Sequence, residues 1–182
     1  MSTESVAQKL EQAKFYRQMN QRMKNTLRKA MRGDLSSCCE MGDYYAEENT
    51  KHTDYMEALK WYKMSANSGS DRAIFELGRL YASNAADITN AREESLALFM
   101  NLAEKGFPTA QCILGMKYWL GDGVENNPGE AVKWLELAAG QKHEEAIRHL
   151  GDLYASMHDD DKANKWYRIG AASGDTYCQD QL

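Results

Sequence analysis

The chain has 182 residues, a net charge of −5, a hydrophobic content of 43% and only two prolines. This length and composition suit a single domain without a long polar linker. No stretch approaches the roughly 18 apolar residues of a membrane span, and no apolar segment follows Met1. The sequence therefore argues against a spanning helix and predicts a cytoplasmic protein.

The first predicted element is a helix from Ser5 to Arg32, a stretch without Gly or Pro. Its apolar stripe, which we expect to pack on the first repeat, is Val6, Leu10, Ala13, Met19, Met23, Leu27 and Ala30. Residues 1–32 carry eight Lys or Arg against two Glu, a net charge of +6, so the remaining residues carry −11. We interpret this segment as a basic N-terminal capping helix or degenerate repeat. Contact with nucleic acid, anionic lipid or a protein partner is the alternative, which charge alone supports weakly.

A motif then recurs four times between residues 33 and 174. Leu-Gly-x-x-Tyr occurs at residues 77–81, 114–118 and 150–154, with an altered copy at 41–45. The four glycines are separated by 36, 37 and 36 residues, a period that is typical of stacked supersecondary units. The predicted repeats are residues 33–68, 69–105, 106–141 and 142–174.

Both halves of each repeat are predicted to be helical. In the first helix an alanine, the Leu-Gly pair and the Tyr stand at i, i+4, i+5 and i+8, which is one helical stripe. The second helix ends in small residues and usually a glycine, which suits a left-handed C-terminal stop. Asn90 and Asn127 each precede a Glu by three residues and are predicted N-caps, the second with Pro128 in the first helical position.

The end of the chain is predicted to differ from the earlier repeats. In the last repeat the separation from Tyr to Trp falls from 16 or 17 residues to 12, so this unit should be tighter. Residues 175–182 begin a further first helix that the chain does not complete. We interpret them as a C-terminal cap, because repeat arrays need polar ends.

At these positions the chain resembles the Sel1-like repeat family, whose signature is roughly A-x-x-x-L-G-x-x-Y, then G-x-G-V, then K-A-x-x-W-Y-x-x-A-A. The third repeat keeps most of it, with Ala110, Leu114, Gly115, Tyr118, Gly121, Gly123, Val124, Ala131 and Trp134. The second departs most, with Leu98 in place of Trp, and in the third Lys142 replaces the closing glycine. The resemblance covers residues 33–182. It implies an all-α fold, a right-handed αα superhelix of about four repeats with helical caps, and in most relatives a protein-binding surface.

The cysteines are predicted to be reduced thiols. Some secreted relatives carry a disulfide in each repeat, with one Cys in each helix. Here Cys39 and Cys112 occupy the same first-helix position two repeats apart, Cys38 is adjacent and Cys178 lies in the cap. Two repeats exceed the roughly 7 Å between Cα atoms that a disulfide allows. Four reduced thiols are consistent with the cytoplasm.

Catalytic motifs are incomplete in this sequence. His143-Glu144 begins like a zinc-protease motif but has Ile147 where the second His ligand should stand. The acids that follow His158 are explained by helix capping and the helix dipole. Gly121-Asp122-Gly123 lacks the further glycine or lysine of a nucleotide loop, and Ser-x-x-Lys does not occur. We therefore expect no enzymatic activity, no cofactor and no metal site.

The concave face is the predicted binding surface. If first helices line it, its exposed stripe falls just before the repeat's alanine and three, seven and ten residues later. The predicted partner-binding residues are Asp43, Arg72, Phe75, Arg79, Cys112, Met116, Trp119, Glu145, Arg148 and Asp152. An apolar centre inside a charged rim is typical of an interaction hot spot. Core packing is the alternative for Met116 and Trp119, because periodicity alone does not separate buried from concave positions.

These features favour a non-enzymatic solenoid that binds a protein partner through its concave face. The resemblance suggests an immunity or inhibitor protein for a cognate toxin or effector. One alternative is a hydrolase of cell-wall or β-lactam compounds, as in some cysteine-rich relatives, against which the lack of cysteine pairs and of a signal peptide argues. The other is a scaffold or adaptor that contacts nucleic acid or a membrane through the basic N-terminal helix, with nucleic acid the disfavoured partner.

Overall fold

The computed structural model describes residues 16–17, 19–48, 50, 53–83 and 88–182. Within these residues all regular secondary structure is helical, which confirms the all-α fold class. The chain divides into two compact units, residues 1–73 and residues 74–182. The division falls inside the fourth described helix.

The described helices follow the predicted order of a cap, four helix pairs and a second cap. They are α1 (Gln21–Ala30), α2 (Leu35–Ala46), α3 (Tyr55–Asn67), α4 (Asp71–Ala82), α5 (Ala91–Glu104), α6 (Pro108–Leu120), α7 (Pro128–Gly140), α8 (Glu144–Ser156), α9 (Asp160–Ala172) and α10 (Thr176–Asp180). Each repeat supplies one pair, from α2 with α3 to α8 with α9. The residue boundaries of the repeats stay a prediction.

In the first unit, α2 packs between α1 and α3. Met19, Ala30, Cys38 and Met41 form the buried centre of this packing, and Met23 and Leu27 cover its edge. The cap thus packs on the first repeat, as expected. Within the described residues, the helix predicted from Ser5 to Arg32 is interrupted at Asn20, which has an extended backbone (φ −68°, ψ 166°) and caps α1 by accepting a hydrogen bond from the Met23 amide. Val6, Leu10 and Ala13 lie outside the described residues.

In the second unit, consecutive helices from α5 to α9 pack against one another and α10 packs on α9. Leu114, Leu135 and Leu150 are completely buried in this unit. Burial of each contributes about 1.5–3 kcal/mol. The helices approach closely because the motif glycine leaves room, since a Cβ on Gly115 would lie 3.1 Å from the carbonyl oxygen of Ala131.

One of the two predicted asparagine caps is correct. Asn127 has an extended backbone and accepts a hydrogen bond from the Glu130 amide, with Pro128 in the first turn of α7. Asn90 does not cap α5 with its side chain. Its backbone is left-handed (φ 61°, ψ 23°), whereas a side-chain cap needs an extended backbone to reach the exposed amides.

The predicted glycine stops adopt left-handed backbones. Gly69 has φ +88° after α3, and Gly174 has φ +90° after α9. In the third repeat Lys142 takes this position with φ 63°. A left-handed backbone costs an L-residue roughly 1–2 kcal/mol. The lost glycine of the third repeat therefore places local strain after α7.

Connections differ between the third and fourth repeats as the sequence predicted. In the third, Asp122 pairs with the buried Lys117 (2.6 Å), and a Cβ on Gly123 would lie 2.6 Å from the Arg92 carbonyl oxygen. In the fourth, α8 ends at Ser156 and α9 begins at Asp160. Among the helices of the described segments, none has the length and apolar character that crossing a membrane requires.

Candidate partner-binding surface

The first helices of the repeats carry the ten predicted binding residues. Asp43 and Arg72 lie in the first unit, on α2 and α4. The other eight lie in the second unit, on α4, α6 and α8. The two sets are therefore described separately.

In the first unit, Asp43 and Arg72 form an ion pair at the surface. The side chains are 38% and 55% exposed, respectively. The hydroxyl of Tyr62 also donates a hydrogen bond to Asp43 (2.8 Å). This carboxylate is thus held from two sides before any partner arrives.

Of the four apolar residues that were predicted to bind a partner in the second unit, three keep exposed surface and one is buried. Phe75, Met116 and Trp119 are partly exposed. Phe75 meets the buried Phe99 ring edge to face, with centroids 5.7 Å apart and planes at 80°. Trp119 packs against the edge of the core that includes Leu135 and Leu150. Each of these aromatic rings is thus anchored on one side and still exposed in part.

Cys112 requires a correction, because it is buried and offers no surface to a partner. Its side chain belongs to the core of the second unit and is 3% exposed. Burial raises the pKa of this thiol to about 12, and the nearby Glu145 carboxylate adds to the effect. The predicted exposed stripe is incorrect at this position because α7 and α8 both pack against α6.

The charged residues on α8 are mostly engaged by the C-terminal cap. Arg148 donates two hydrogen bonds to Asp175, at 3.1 and 2.7 Å, and lies over the Tyr177 ring. Asp152 accepts hydrogen bonds from Tyr167 and Tyr177, both at 2.9 Å. By contrast, Glu145 is exposed. On α4, Arg79 is also exposed and pairs with Glu76 (3.2 Å).

Tyrosine–aspartate contacts occur at equivalent positions of the first and fourth repeats. Tyr62 donates to Asp43 and Tyr167 to Asp152, and each tyrosine ring lies against the glycine that precedes the aspartate. Sequence reasoning missed this contact, although a signal was present. The first and fourth repeats have Gly-Asp in the first helix and Trp-Tyr in the second, whereas the second and third repeats have neither dipeptide.

The sequence also did not indicate a cluster of three side chains that carry metal-binding atoms. The donor atoms of Cys112, His143 and Glu145 all lie within 4.8 Å of one another. Cys112 lies in a different repeat from the other two residues, so no local sequence motif indicates the cluster. The structure alone brings these three side chains together.

The first unit also carries the basic side chains of α1. Arg28 donates a hydrogen bond to the Tyr16 hydroxyl (3.2 Å), and the Lys24 ammonium lies 5.4 Å from the centre of the Tyr16 ring. Arg22, Lys29 and Arg32 are exposed. Lys9 and Lys14 lie outside the described residues.

The Sel1 repeat family model matches residues 35–70, 108–143 and 145–175, more than half of the chain. The matched segments correspond to the first, third and fourth predicted repeats. They leave out the second repeat, which departs most from the signature.

Two curated proteins are similar to parts of the chain. The chitin synthase regulator SKT5 of Saccharomyces cerevisiae is 30% identical over 120 residues, which are 65% of this chain and 17% of the regulator. An uncharacterized protein of Neisseria meningitidis serogroup B is 27% identical over 122 residues, 66% of this chain and 25% of that protein. The chain thus spans a quarter or less of these relatives.

Two solved structures are similar in fold. A protective antigen of uropathogenic Escherichia coli with an SLR fold superposes with a TM-score of 0.72 at 28% identity, over 87% of this chain and 35% of the antigen. A Sel1 repeat protein of Oxalobacter formigenes superposes with a TM-score of 0.60 at 31% identity, over 73% of this chain and 99% of that protein. Both likenesses support a solenoid repeat fold.

Proposed function

Because the chain belongs to the Sel1 repeat family, we propose that it is a non-enzymatic solenoid that recognises a protein partner with the first-helix faces of its repeats. Sel1 repeat proteins are generally protein-interaction solenoids. The first-helix surface of the second unit is the main candidate. Its members are Phe75, Arg79, Met116, Trp119, Glu145, Arg148 and Asp152.

The observation that carries this proposal is the partial exposure of three large apolar side chains on first helices. Phe75, Met116 and Trp119 keep exposed surface, whereas the motif leucines Leu77 and Leu114 are buried on the same helices. Aromatic residues, Met and Arg are enriched at the centres of interfaces. An apolar side chain that is anchored on one side and open on the other has little freedom to lose on binding.

The charged neighbours support the same interpretation. Arg148 donates a hydrogen bond to Asp175 of the cap, and Asp152 accepts one from Tyr177 of the cap. The positions of both side chains are therefore set before a partner binds. Such preorganisation reduces the entropic cost of association. Residues 33–182 carry a net charge of −11, which favours a partner with a basic surface through electrostatic steering.

We further propose that this partner is a cognate toxin or effector, which this chain would block as an immunity or inhibitor protein in the cytoplasm. The support is the resemblance noted from the repeats and the net negative charge, which suits a basic target. The four free cysteines, all buried, are compatible with a reducing compartment.

Affinity purification of the tagged chain from its native lysate would identify the partner, and calorimetric titration would then measure affinity. We expect Phe75→Ala with Trp119→Ala to weaken binding by at least about 2 kcal/mol, roughly 30-fold. Leu137→Ala is the matched control, because Leu137 is 52% exposed on the second helix α7. It should change affinity by less than about 0.5 kcal/mol.

A second variant separates loss of binding from loss of folding. Arg79→Ala removes an exposed guanidinium without opening the core and should weaken binding, because Arg is enriched among the residues that carry interface binding energy. Unchanged affinity in both first-helix variants, with native thermal unfolding, would refute this surface. Loss of binding in Leu137→Ala alone would move the interface to the second helices.

A further inference from the structure

Three side chains with metal-binding atoms converge between the third and fourth repeats. Cys112 Sγ, a ring nitrogen of His143 and a carboxylate oxygen of Glu145 lie within 4.8 Å of one another. Cys112 stands in the middle of α6, His143 is the N-cap of α8 and Glu145 lies in the first turn of α8. Because α6 and α8 are in contact, the backbone itself holds the three donors together.

The separations are close to those of a zinc site. Zn²⁺ binds sulfur at about 2.3 Å and nitrogen or oxygen at about 2.0–2.2 Å, which places tetrahedral ligands roughly 3.3–3.6 Å apart. The three donor atoms therefore need to approach by no more than about 1.5 Å. Side-chain rotation can supply this movement, since Glu145 is exposed and His143 is partly exposed, while the buried Cys112 is the fixed member.

The equivalent position in the first repeat shows that burial of a cysteine here does not by itself create the cluster. Cys39 occupies the register of Cys112 and is also buried. Its sulfur instead lies 3.3 Å from the Ser65 hydroxyl and 3.7 Å from that of Ser70. Ser70 stands in the register of His143, and Arg72 in that of Glu145. The full donor set thus occurs at only one of these two junctions.

We propose that Cys112, His143 and Glu145 bind one Zn²⁺, with the fourth coordination position open to water. A sulfur, nitrogen and oxygen donor set suits Zn²⁺ better than Mg²⁺ or Ca²⁺, which prefer oxygen ligands. Three protein ligands with one open position are a familiar zinc arrangement. The site does not depend on the proposed partner and can be tested in its absence.

Binding of Zn²⁺ by Cys112 should release a proton that can be measured. The thiol of Cys112 loses its proton to solvent as the zinc–sulfur bond forms. Burial raises the pKa of the free thiol to about 12, and the charge of the metal opposes that effect locally. The Ala146 amide donates a long hydrogen bond to His143 Nδ1 (3.3 Å), which holds the imidazole ring at the N-terminus of α8.

The site would connect the first helices of two successive repeats. Zn²⁺ binds the folded arrangement and finds no preformed site in the unfolded chain, so it should raise the melting temperature. This stabilisation provides a readout that requires neither an activity nor a partner.

The experiment titrates the full chain, stripped of metal by a chelator, with Zn²⁺ alone and with Co²⁺ alone. We expect one ion per chain, a rise in melting temperature with Zn²⁺, and a thiolate-to-cobalt charge-transfer band with Co²⁺. Cys112→Ser should abolish that band, and His143→Ala and Glu145→Gln should each weaken Zn²⁺ binding by at least about tenfold. Cys39→Ser is the matched control and should bind like the wild type.

Several results would overturn the proposal. One is the absence of stoichiometric binding by the folded wild-type chain. Another is a charge-transfer band that persists in Cys112→Ser or disappears in Cys39→Ser, since either would assign the metal to different ligands. If Cys112→Ser proves unfolded, Glu145→Gln decides, because Glu145 is exposed and its loss leaves the core intact. Unaltered Zn²⁺ affinity in Glu145→Gln would then exclude this site.

Discussion

The hydroxyl of Tyr167 donates a hydrogen bond to Asp152 (2.9 Å), while the ring of the same tyrosine lies against Gly151. One side chain on α9 therefore fills the space left by the motif glycine of α8 and also fixes the charge beside it. Burial and this hydrogen bond both raise the pKa of Tyr167, which keeps the hydroxyl protonated as a donor. The helix pair of the fourth repeat is thus joined by an apolar and a polar contact at one point.

Tyr167→Phe should destabilise the chain by about 1.5 kcal/mol, because a hydrogen bond to a charged acceptor contributes about 1.5–3 kcal/mol and Tyr177 still donates to Asp152. Urea unfolding measures the change. In an Asp152→Ala background the same substitution should have less effect, since the acceptor is already gone. An equal loss in both backgrounds would show that the hydroxyl acts through something other than Asp152.

Gly151→Ala should destabilise by about 1–3 kcal/mol, because the added Cβ would overlap the Tyr167 ring. Thermal unfolding measures the loss. Gly140→Ala is the matched control, since Gly140 is also helical and has no heavy atom within 4 Å of an added Cβ. It should be neutral or stabilising by up to about 1 kcal/mol. Similar destabilisation at the two sites would argue against close packing as the cause.

Lys142→Gly should stabilise the chain by about 0.5–1 kcal/mol. The substitution removes the strain of a left-handed lysine with φ 63°, and the greater entropy of glycine in the unfolded chain offsets part of the gain. Gly174→Ala, at the equivalent stop of the fourth repeat, should destabilise, because φ is +90° there. Urea unfolding measures the change. If Lys142→Gly destabilised the chain, the left-handed backbone of Lys142 would not be a source of strain.

Acid should loosen the C-terminal cap. The hydrogen bonds from Arg148 hold the pKa of Asp175 below its ordinary value of 3.8. Because the folded pKa lies below the unfolded one, this stabilisation is complete above pH 3.8 and is lost as the pH falls through the folded pKa. The amide resonance of Cys178, whose N–H bonds to Asp175, should follow this titration.

In Arg148→Gln the midpoint of that titration should move up towards pH 3.8, because the guanidinium no longer favours the charged carboxylate. Lys162→Gln, which alters the Asp159 ion pair on α9, is the control and should leave the Cys178 midpoint in place. An unchanged midpoint in Arg148→Gln would show that Arg148 does not set the pKa of Asp175.

The helices and most of their ends could be predicted from the sequence, because the signals are local. The recurring Leu-Gly-x-x-Tyr motif, the Asn127 cap and the glycine stops each act within one or two helical turns. The sequence did not indicate that a helix begins after Asn20, and it wrongly predicted a side-chain cap at Asn90; both errors have the same origin. Both are ordinary capping residues, and whether each used its side chain depended on the backbone around it.

The sequence by itself determined the repeat period, the all-α class and the family resemblance, since all three follow from residue types at fixed spacings. The tertiary structure decided which stripe residues are open, as the burial of Cys112 and the partial exposure of Trp119 show. It also decided which charges are satisfied, because Arg148 bonds to Asp175 in the cap. Helical periodicity selects a face, but side chains from other helices determine how far that face is covered.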